Sequence, residues 1–455
     1  MFFYVSFLRP PPTRAPLSSP VLITPQISND LRTEPCESDQ DVFYDWVFVD
    51  HGTNNGPRSA IAARAGPPRG TPGKQLGMKK LMTWRNANAY REIPVPVPQG
   101  VREGQQWRLV LAAVPVGGNA GTAGPATGAP GGSLIPSNAR IHLDEEKIGR
   151  WLPFGVSSMP VTFTYASKGA PKQEEIERTY EFKTAGASEA DIRPVATNAS
   201  QGVNLQDISN RLKGLQIEDA ECPQGKSKAV RLFIREQTSF DLDKKIWDSG
   251  IGLSAWLVQW LNKPAEPRSP QVADGVGKTL RDLKSIFKST GNLNILELGS
   301  GTGILALTVA ALRSRISDAE DRILATDLES AIPLMKHNID SNKSTFSERI
   351  TVKPGVLDWD QSLADQLPDG TGFDLVVMAD VTYNTDSFPA LIQTLAGVRN
   401  LNPDKEPLLL LGYKERHDEE RALWDLVKTI GMDIQQVGVI PGHASGGAPI
   451  EIWVG

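Results

Sequence analysis

A chain of 455 residues is longer than one hydrophobic core organises, about 250–300 residues, so two folding units are expected. Hydrophobic residues make up 40% and charged residues 22%, an ordinary globular balance. The net charge of -5 argues against binding nucleic acid through the overall field, and only two cysteines, Cys36 and Cys222, rule out a disulfide framework and a thiolate-rich zinc site.

Along the chain, residues 2–8 (Phe-Phe-Tyr-Val-Ser-Phe-Leu) predict a first β-strand rather than a signal-peptide core, because no basic residue precedes them and Arg9-Pro10-Pro11-Pro12 cuts them short. No apolar run approaches the ~20 residues that span a bilayer. The expectation is a soluble protein of the cytoplasm, with the nucleus as a second compartment, and no membrane partner. From Arg64 to Arg91 there are seven basic residues and no acidic one, with Trp84 and Tyr90 interleaved. A solvated loop is the preferred reading of that run; RNA or an acidic partner is the alternative, so nucleic acid is not an expected partner. Residues 107–114, 161–165 and 180–182 read as strands, which makes 1–183 a β-rich region. Within it, 117–133 carries no charge and no large apolar residue and predicts a mobile loop. A polar linker is expected over 184–225; its Asn198-Ala199-Ser200 triplet matches a glycosylation acceptor and is discounted for want of a secretory route.

Val230, Leu232 and Ile234 alternate with Arg231 and Arg235, a strand leading into a second domain, 226–455. After Gly291, apolar runs at 295–298, 323–325, 373–378 and 408–411 alternate with helical periodicity, the pattern of a parallel sheet covered on both faces. Residues 433–440 and 450–454, joined by a short Gly-rich turn, predict an antiparallel pair. The fold class is thus α/β, a Rossmann-like seven-strand sheet, parallel except for one strand at the end, behind a β-rich amino-terminal domain.

The most informative stretch is Glu297-Leu298-Gly299-Ser300-Gly301-Thr302-Gly303, directly after an apolar strand and opening a helix near Ile304. Glycines let the backbone turn tightly and approach a ligand, and the helix start offers unpaired N–H groups. A dinucleotide fingerprint would need glycine at Ile304, and a phosphate loop would need a Lys-Ser/Thr pair that is absent. Asp327 ends the next strand, where a carboxylate can accept both ribose hydroxyls or merely cap the following helix. After the third strand, Asp358 offers a polar group for an adenine edge, and Trp359 is either a stacking platform or core.

Together these residues resemble the seven-strand methyltransferases of family 16, many of them protein-lysine methyltransferases, with an older label of nicotinamide N-methyltransferase-like. The resemblance rests on Lys245-Ile246-Trp247-Asp248-Ser249-Gly250, the 297–303 loop, Leu357-Asp358-Trp359 and Asp380-Val381-Thr382-Tyr383. It adds a later stretch, residues 412–418, running into a helix with Trp424. It covers about 230–455, and the amino-terminal half resembles the long extension of fungal members. It implies S-adenosyl-L-methionine as cofactor, with contacts at Trp247, Glu297, Gly299, Ser300, Gly301, Gly303, Asp327, Asp358, Trp359 and Ala379. It also implies Asp380 and Tyr383 as catalytic residues facing the nucleophile. The chain departs from the family at Ser249-Gly250, where two alanine-like residues are usual.

A lysine attacks a sulfonium methyl only as the neutral amine, yet a neighbouring carboxylate raises an amine pKa. Asp380 is therefore expected to orient first and accept a proton second, with the ring of Tyr383 walling the channel. Without the glycine loop, 380–383 would read as a capping loop with a core tyrosine. His51, His142, His337, His417 and His443 show no ligand spacing, so no metal is expected. The expected function is an S-adenosylmethionine-dependent transferase that methylates a lysine side chain of a protein substrate. The alternatives are a small-molecule, nicotinamide-like N-methyltransferase, or an interaction protein with a vestigial methyltransferase fold.

Overall fold

A computed structural model of the chain describes residues 1–49, 78–116, 139–166, 169–184, 229–239, 241–263, 274–367, 370–401 and 406–455. The tract 117–133, the linker from 185 to 225 and the first half of the basic run lie outside those residues.

The amino-terminal region is built of strands whose apolar residues alternate with polar ones. Antiparallel β1 (Tyr4–Arg9), β3 (Val21–Ser28) and β6 (Ile93–Val95) form one small sheet. A nine-stranded sheet contains β2 (Arg14–Pro16), β4 (Gln40–Phe48), β5 (Lys79–Trp84), β7 (Gln106–Pro115), β8 (Ile141–His142), β9 (Val156–Ser158), β10 (Val161–Thr164), β11 (Glu175–Lys183) and β12 (Ala229–Gln237). β4 pairs with β7 over nine residues, and their inward positions Val42, Leu109 and Leu111 join Phe7, Ile23, Trp84 and Phe163 in a common core. The expected strands at 107–114, 161–165 and 180–182 fall within β7, β10 and β11, allowing for small differences at the ends.

β12, read from sequence as the entry to the second domain, is instead a member of the amino-terminal sheet, antiparallel to β11 over its whole length. Alternation tells which face of a strand is buried and nothing about its neighbour. Its outer edge is closed by two fully buried asparagines one turn apart on helix Ile332–Asn342. The Asn338 amide accepts from Arg235 N–H at 2.9 Å and donates to Arg235 C=O at 3.0 Å. The Asn342 amide does the same at Phe233, at 2.9 and 2.8 Å. Residues four apart on a helix rise ~6 Å and residues two apart on a strand ~6.8 Å, so the two spacings match. The amides thereby satisfy an edge that would otherwise be open. One continuous core runs across the seam, from Tyr180, Phe182 and Leu232 to Leu305, Val309 and Ile339.

The second sheet holds β13 (Asn294–Leu298), β14 (Arg322–Asp327), β15 (Thr351–Val356), β16 (Leu375–Ala379), β17 (Leu408–Lys414), β18 (Gln435–Ile440) and β19 (Ile450–Val454), in the order β15-β14-β13-β16-β17-β19-β18. Six strands share one direction, and only β19 is reversed, running antiparallel to both β17 and β18, between which it lies. This is the expected α/β seven-strand sheet with one reversed strand. Its strands are apolar on both sides because both faces are covered. Ile295, Ile323, Val377 and Leu410 face α1 (Asp248–Asn262), α2 (Asp274–Phe287), α3 (Ile304–Ile316) and α4 (Ile332–Asn342). Leu296, Val376, Met378 and Leu411 face α5 (Leu363–Gln366), α6 (Phe388–Asn400) and α7 (Ala422–Thr429). Among the described residues no helix is long and apolar enough to cross a membrane.

Candidate active site

The strand order reverses between β13 and β16, and open α/β sheets bind ligands beyond the strand carboxyl ends at such a point. The glycine loop leaves β13 there. Gly299, Gly301 and Gly303 all have φ in the left-handed region, at 66°, 53° and 80°, and Gly303 is the residue before α3. A Cβ added at Gly299 would lie 2.8 Å from Val381 Cγ1 and 3.8 Å from Trp359, so the loop is held against both neighbours. Gly301 N–H donates to Asp327 Oδ2 at 2.7 Å, and Ser300 N–H donates to the Thr326 carbonyl at 2.9 Å. These bonds tie the loop to the end of β14. The second Asp327 oxygen accepts from Leu328 N–H at 2.7 Å; each oxygen keeps a lone pair for a further donor.

The loop is lined with acid. Glu297 is buried beneath it, and burial pushes its carboxyl up to about 8 although Ser300 and the Ala306 N–H oppose the rise. Burial also raises Asp327, with the loop amides opposing. Asp243, in the turn before α1, accepts from the Ser330 hydroxyl at 2.5 Å and raises Asp327 further by its charge. The backbone oxygens of Asp243 and Lys245 lie 3.6 and 3.7 Å from a Cβ at Gly301, which makes 243–245 a strap across the loop. Sequence reasoning did not single out Asp243; the resemblance begins two residues later.

The other expected positions fall into two groups. Trp247 precedes α1, its indole N–H donates to the Leu242 carbonyl at 2.8 Å, and the Arg416 guanidinium stacks over its ring at 5.4 Å. Trp359 is half-buried beside Gly299, while the Asp358 backbone is clamped by Gln366 and its carboxylate accepts from Asp360 N–H at 3.0 Å. Ala379 ends β16. Tyr383 is 58% exposed at the rim; burial of its hydroxyl and the charges of Asp327 and Asp243 raise its pKa. Asp380 is set back from that rim. It is buried, has φ of 58°, accepts from Ser249 N–H at 2.6 Å and pairs with Arg416. Both its oxygens are engaged, which suits orientation better than proton transfer. Arg416 lies in the 412–418 stretch but was assigned no role from sequence. A buried carboxylate implies a cation nearby, yet nothing in the spacing says which one.

The Ser249 and Thr382 hydroxyls are fully buried with no hydrogen-bond partner among the described residues, at the start of α1 and beside Tyr383. A Cβ at Gly250 would make only an ordinary contact, 3.5 Å from Ile304, so the departure there from an alanine-like residue is not forced by packing. Gly250→Ala is expected to stabilise the protein by about 0.5–1 kcal/mol through helix propensity, read from urea melts. A cavity of about 570 Å³ opens elsewhere, among Asn294, Arg322 and Thr351 at the amino-terminal ends of the strands, away from these residues. Among the described residues no group of three or more His, Cys, Asp or Glu is placed to hold a metal ion.

The family profile described as lysine methyltransferase matches residues 226–429. A UPF0665 family protein of Schizosaccharomyces pombe is 30% identical over 200 residues, 44% of this chain and 51% of that protein. Protein-lysine N-methyltransferase EFM6 of Saccharomyces cerevisiae is 32% identical over 191 residues, 40% of this chain and 68% of that enzyme. Among solved structures, a SAM-dependent methyltransferase from Agrobacterium tumefaciens is 13% identical with a TM-score of 0.33, covering 50% of this chain and 66% of that one. This chain thus spans about half the length of the fission-yeast relative and about two thirds of the budding-yeast one. With the glycine loop, the strand-end Asp327 and the 380–383 motif joined at the carboxyl edge of a seven-strand sheet, the chain belongs to the lysine methyltransferase family.

Proposed function

We propose that the chain transfers the methyl group of S-adenosyl-L-methionine to a lysine side chain of another protein. The observation that carries the cofactor is the combination of a backbone cradle with acid around it. Phosphates would be repelled by Asp327 and Asp243, whereas a nucleoside bearing a sulfonium and an ammonium is attracted by them and favours the ionised form of Glu297 beneath the loop. When bound, that cofactor supplies an electrophilic methyl and a neutral thioether leaving group. Asp327 would take the ribose, Trp359 and Asp358 the adenine, and Glu297, the 299–303 loop, Trp247 and Ala379 the remainder. Holding amine, methyl and sulfur in line is the main work of such a site and can supply ~7–11 kcal/mol of the barrier. In the transfer an N–C bond forms as the S–C bond breaks, and the amine proton leaves to solvent. Tyr383, at the rim, would hold the incoming ammonium by its ring face; Asp380 would orient the start of α1 behind it.

In this reading residues 226–455 carry the chemistry, the linker covers 184–225, and 1–183 is the supporting region, with β12 shared across the seam. The compartment we propose is the cytoplasm, with the nucleus as a second.

Asp327→Ala is expected to weaken S-adenosylmethionine binding by about 1–3 kcal/mol, the range for hydrogen bonds to a charged group. Calorimetry showing unchanged affinity would reject the ribose assignment. The acceptor is tested with methyl-labelled cofactor and a lysate lacking the native protein. Label on a protein lysine, dropping about tenfold or more with Tyr383→Ala, supports the reading. Label confined to a small-molecule fraction overturns it.

A further inference from the structure

A chain of buried charges runs from the back of this site into the amino-terminal region. Arg416 pairs with Asp380 through one guanidinium nitrogen and with Asp30 through the other, at 2.9 Å. Lys414 Nζ lies 3.0 and 3.1 Å from the two Asp30 oxygens and 2.8 Å from Asp248. Asp248 in turn accepts from Tyr4 hydroxyl at 2.6 Å and from Phe2 N–H at 2.9 Å. Asp30, 386 residues from Arg416, has no exposed side-chain surface. Burial alone would raise its carboxyl, but Lys414 and Arg416 outweigh this and hold it below the ordinary range.

The turn that presents Asp30 is firmly built. Asn29 Oδ1 accepts from Thr33 N–H and Glu34 N–H at 3.0 and 3.2 Å, and Arg32 reaches the Thr238 carbonyl at 2.8 Å. Among the described residues only two non-glycines have positive φ, Arg32 at 60° and Asp380 at 58°. Asp380 is one end of this network, and Arg32 lies two residues from its middle member, Asp30. A left-handed non-glycine is strained and persists where its surroundings over-determine it. Buried ion pairs bring little net stability over apolar packing, so gluing two regions together does not by itself account for the arrangement. An arginine forked between two carboxylates does fix a plane and a direction.

We propose that Asp30 is a positioning residue for methyl transfer: the amino-terminal region completes the active site by fixing Arg416, and through Arg416 the Asp380 carboxylate that anchors the Ser249 N–H at the start of α1. The inference rests on the reading of the 380–383 motif as part of a methyl-transfer site. Asp30 touches neither cofactor nor acceptor; it sets the geometry of the residue that holds the entry to α1 beside Trp247.

The test uses the full chain with Asp30→Asn. In the cofactor-free protein, amide hydrogen exchange is followed in peptides covering 247–253, with 294–298 in the sheet core as reference. Exchange about tenfold faster at 247–253 with an unchanged reference is expected. The initial rate of label transfer into lysate protein should fall about tenfold, a larger loss than that of S-adenosylmethionine affinity by calorimetry, since Trp247 is one of several cofactor contacts. In an Asp380→Asn background the second substitution should add less than about twofold, because both act through one contact. Faster exchange in both peptides alike, or a rate loss that is undiminished in that background, would overturn the proposal and leave Asp30 a stabilising contact only. Should Asp30→Asn not fold, Asp30→Glu keeps the charge and displaces it by one methylene. Selective loosening at 247–253 then supports the proposal, and wild-type exchange and rate overturn it. The exchange measurement needs neither cofactor nor acceptor, so a failure of the lysine reading and a failure of this coupling are told apart.

Discussion

Replacing Gly299 with alanine is expected to lower the affinity for S-adenosylmethionine by at least about thirtyfold, ~2 kcal/mol, and to stop methyl transfer at ordinary cofactor concentrations. Two effects add. An L-residue at a φ of 66° costs about 1–2 kcal/mol, and the new Cβ would lie 2.8 Å from Val381 Cγ1, far inside contact distance. Val381 cannot give way freely, since it is buried in the core beneath α6 and is bonded to Asp380. Overpacking of this kind costs a further ~1–3 kcal/mol. Relieving the strain would draw the loop away from Val381 and Trp359, so the cost falls on the cradle that receives the cofactor. Gly104→Ala is the control. Its φ of 79° carries the same backbone penalty, but nothing stands within 4 Å of the added methyl and the position is remote from the loop. That variant should bind with wild-type affinity. Calorimetry on the pair decides the matter: an affinity for Gly299→Ala within threefold of wild type would show that the loop does not cradle the cofactor.

The glycine loop, the two-faced parallel strands and the final antiparallel pair were legible because each is a local pattern. Glycines at fixed intervals after an apolar strand report a backbone need, and strand 295–298, apolar apart from Glu297, reports cover on both faces. Asp327 was legible for the same reason, as the polar end of an apolar run. The network behind the site was not. Asp30 sits in a turn among polar residues and reads as solvated, and nothing near it in sequence names Lys414 or Arg416. The pairing of β12 was hidden in the same way. Its alternation is clear, but the amides that close its edge come from Asn338 and Asn342, more than 100 residues away. Those two asparagines, one turn apart on a helix, look like surface positions in sequence and are fully buried. Local propensity identifies elements; which elements share charge or an edge is decided by the assembled fold.

The stability of the cofactor-free protein is expected to fall as pH rises from about 4.5 to about 8 by a few kcal/mol more in the wild type than in Glu297→Gln. Glu297 is buried under the loop, and burial lifts its carboxyl from 4.5 to about 8. Between those values the unfolded chain has released this proton and the folded protein still holds it. The folded state then binds more protons than the unfolded one, so stability declines with rising pH across this window and levels off above about 8. Each unit of displacement is worth about 1.4 kcal/mol. Glutamine keeps the shape and cannot ionise, so it removes the slope. Urea melts of both proteins at pH 5, 6.5 and 8.5 measure the difference, and parallel profiles would show that Glu297 is ionised when folded. The same proton ties stability to function. A cationic ligand beside the loop favours the carboxylate, so binding S-adenosylmethionine should release a proton below pH 8, and its affinity should climb towards that pH in wild type but not in Glu297→Gln. Calorimetry in two buffers of different ionisation enthalpy reads that proton directly, and equal heats in both would place the cofactor's positive charge away from Glu297.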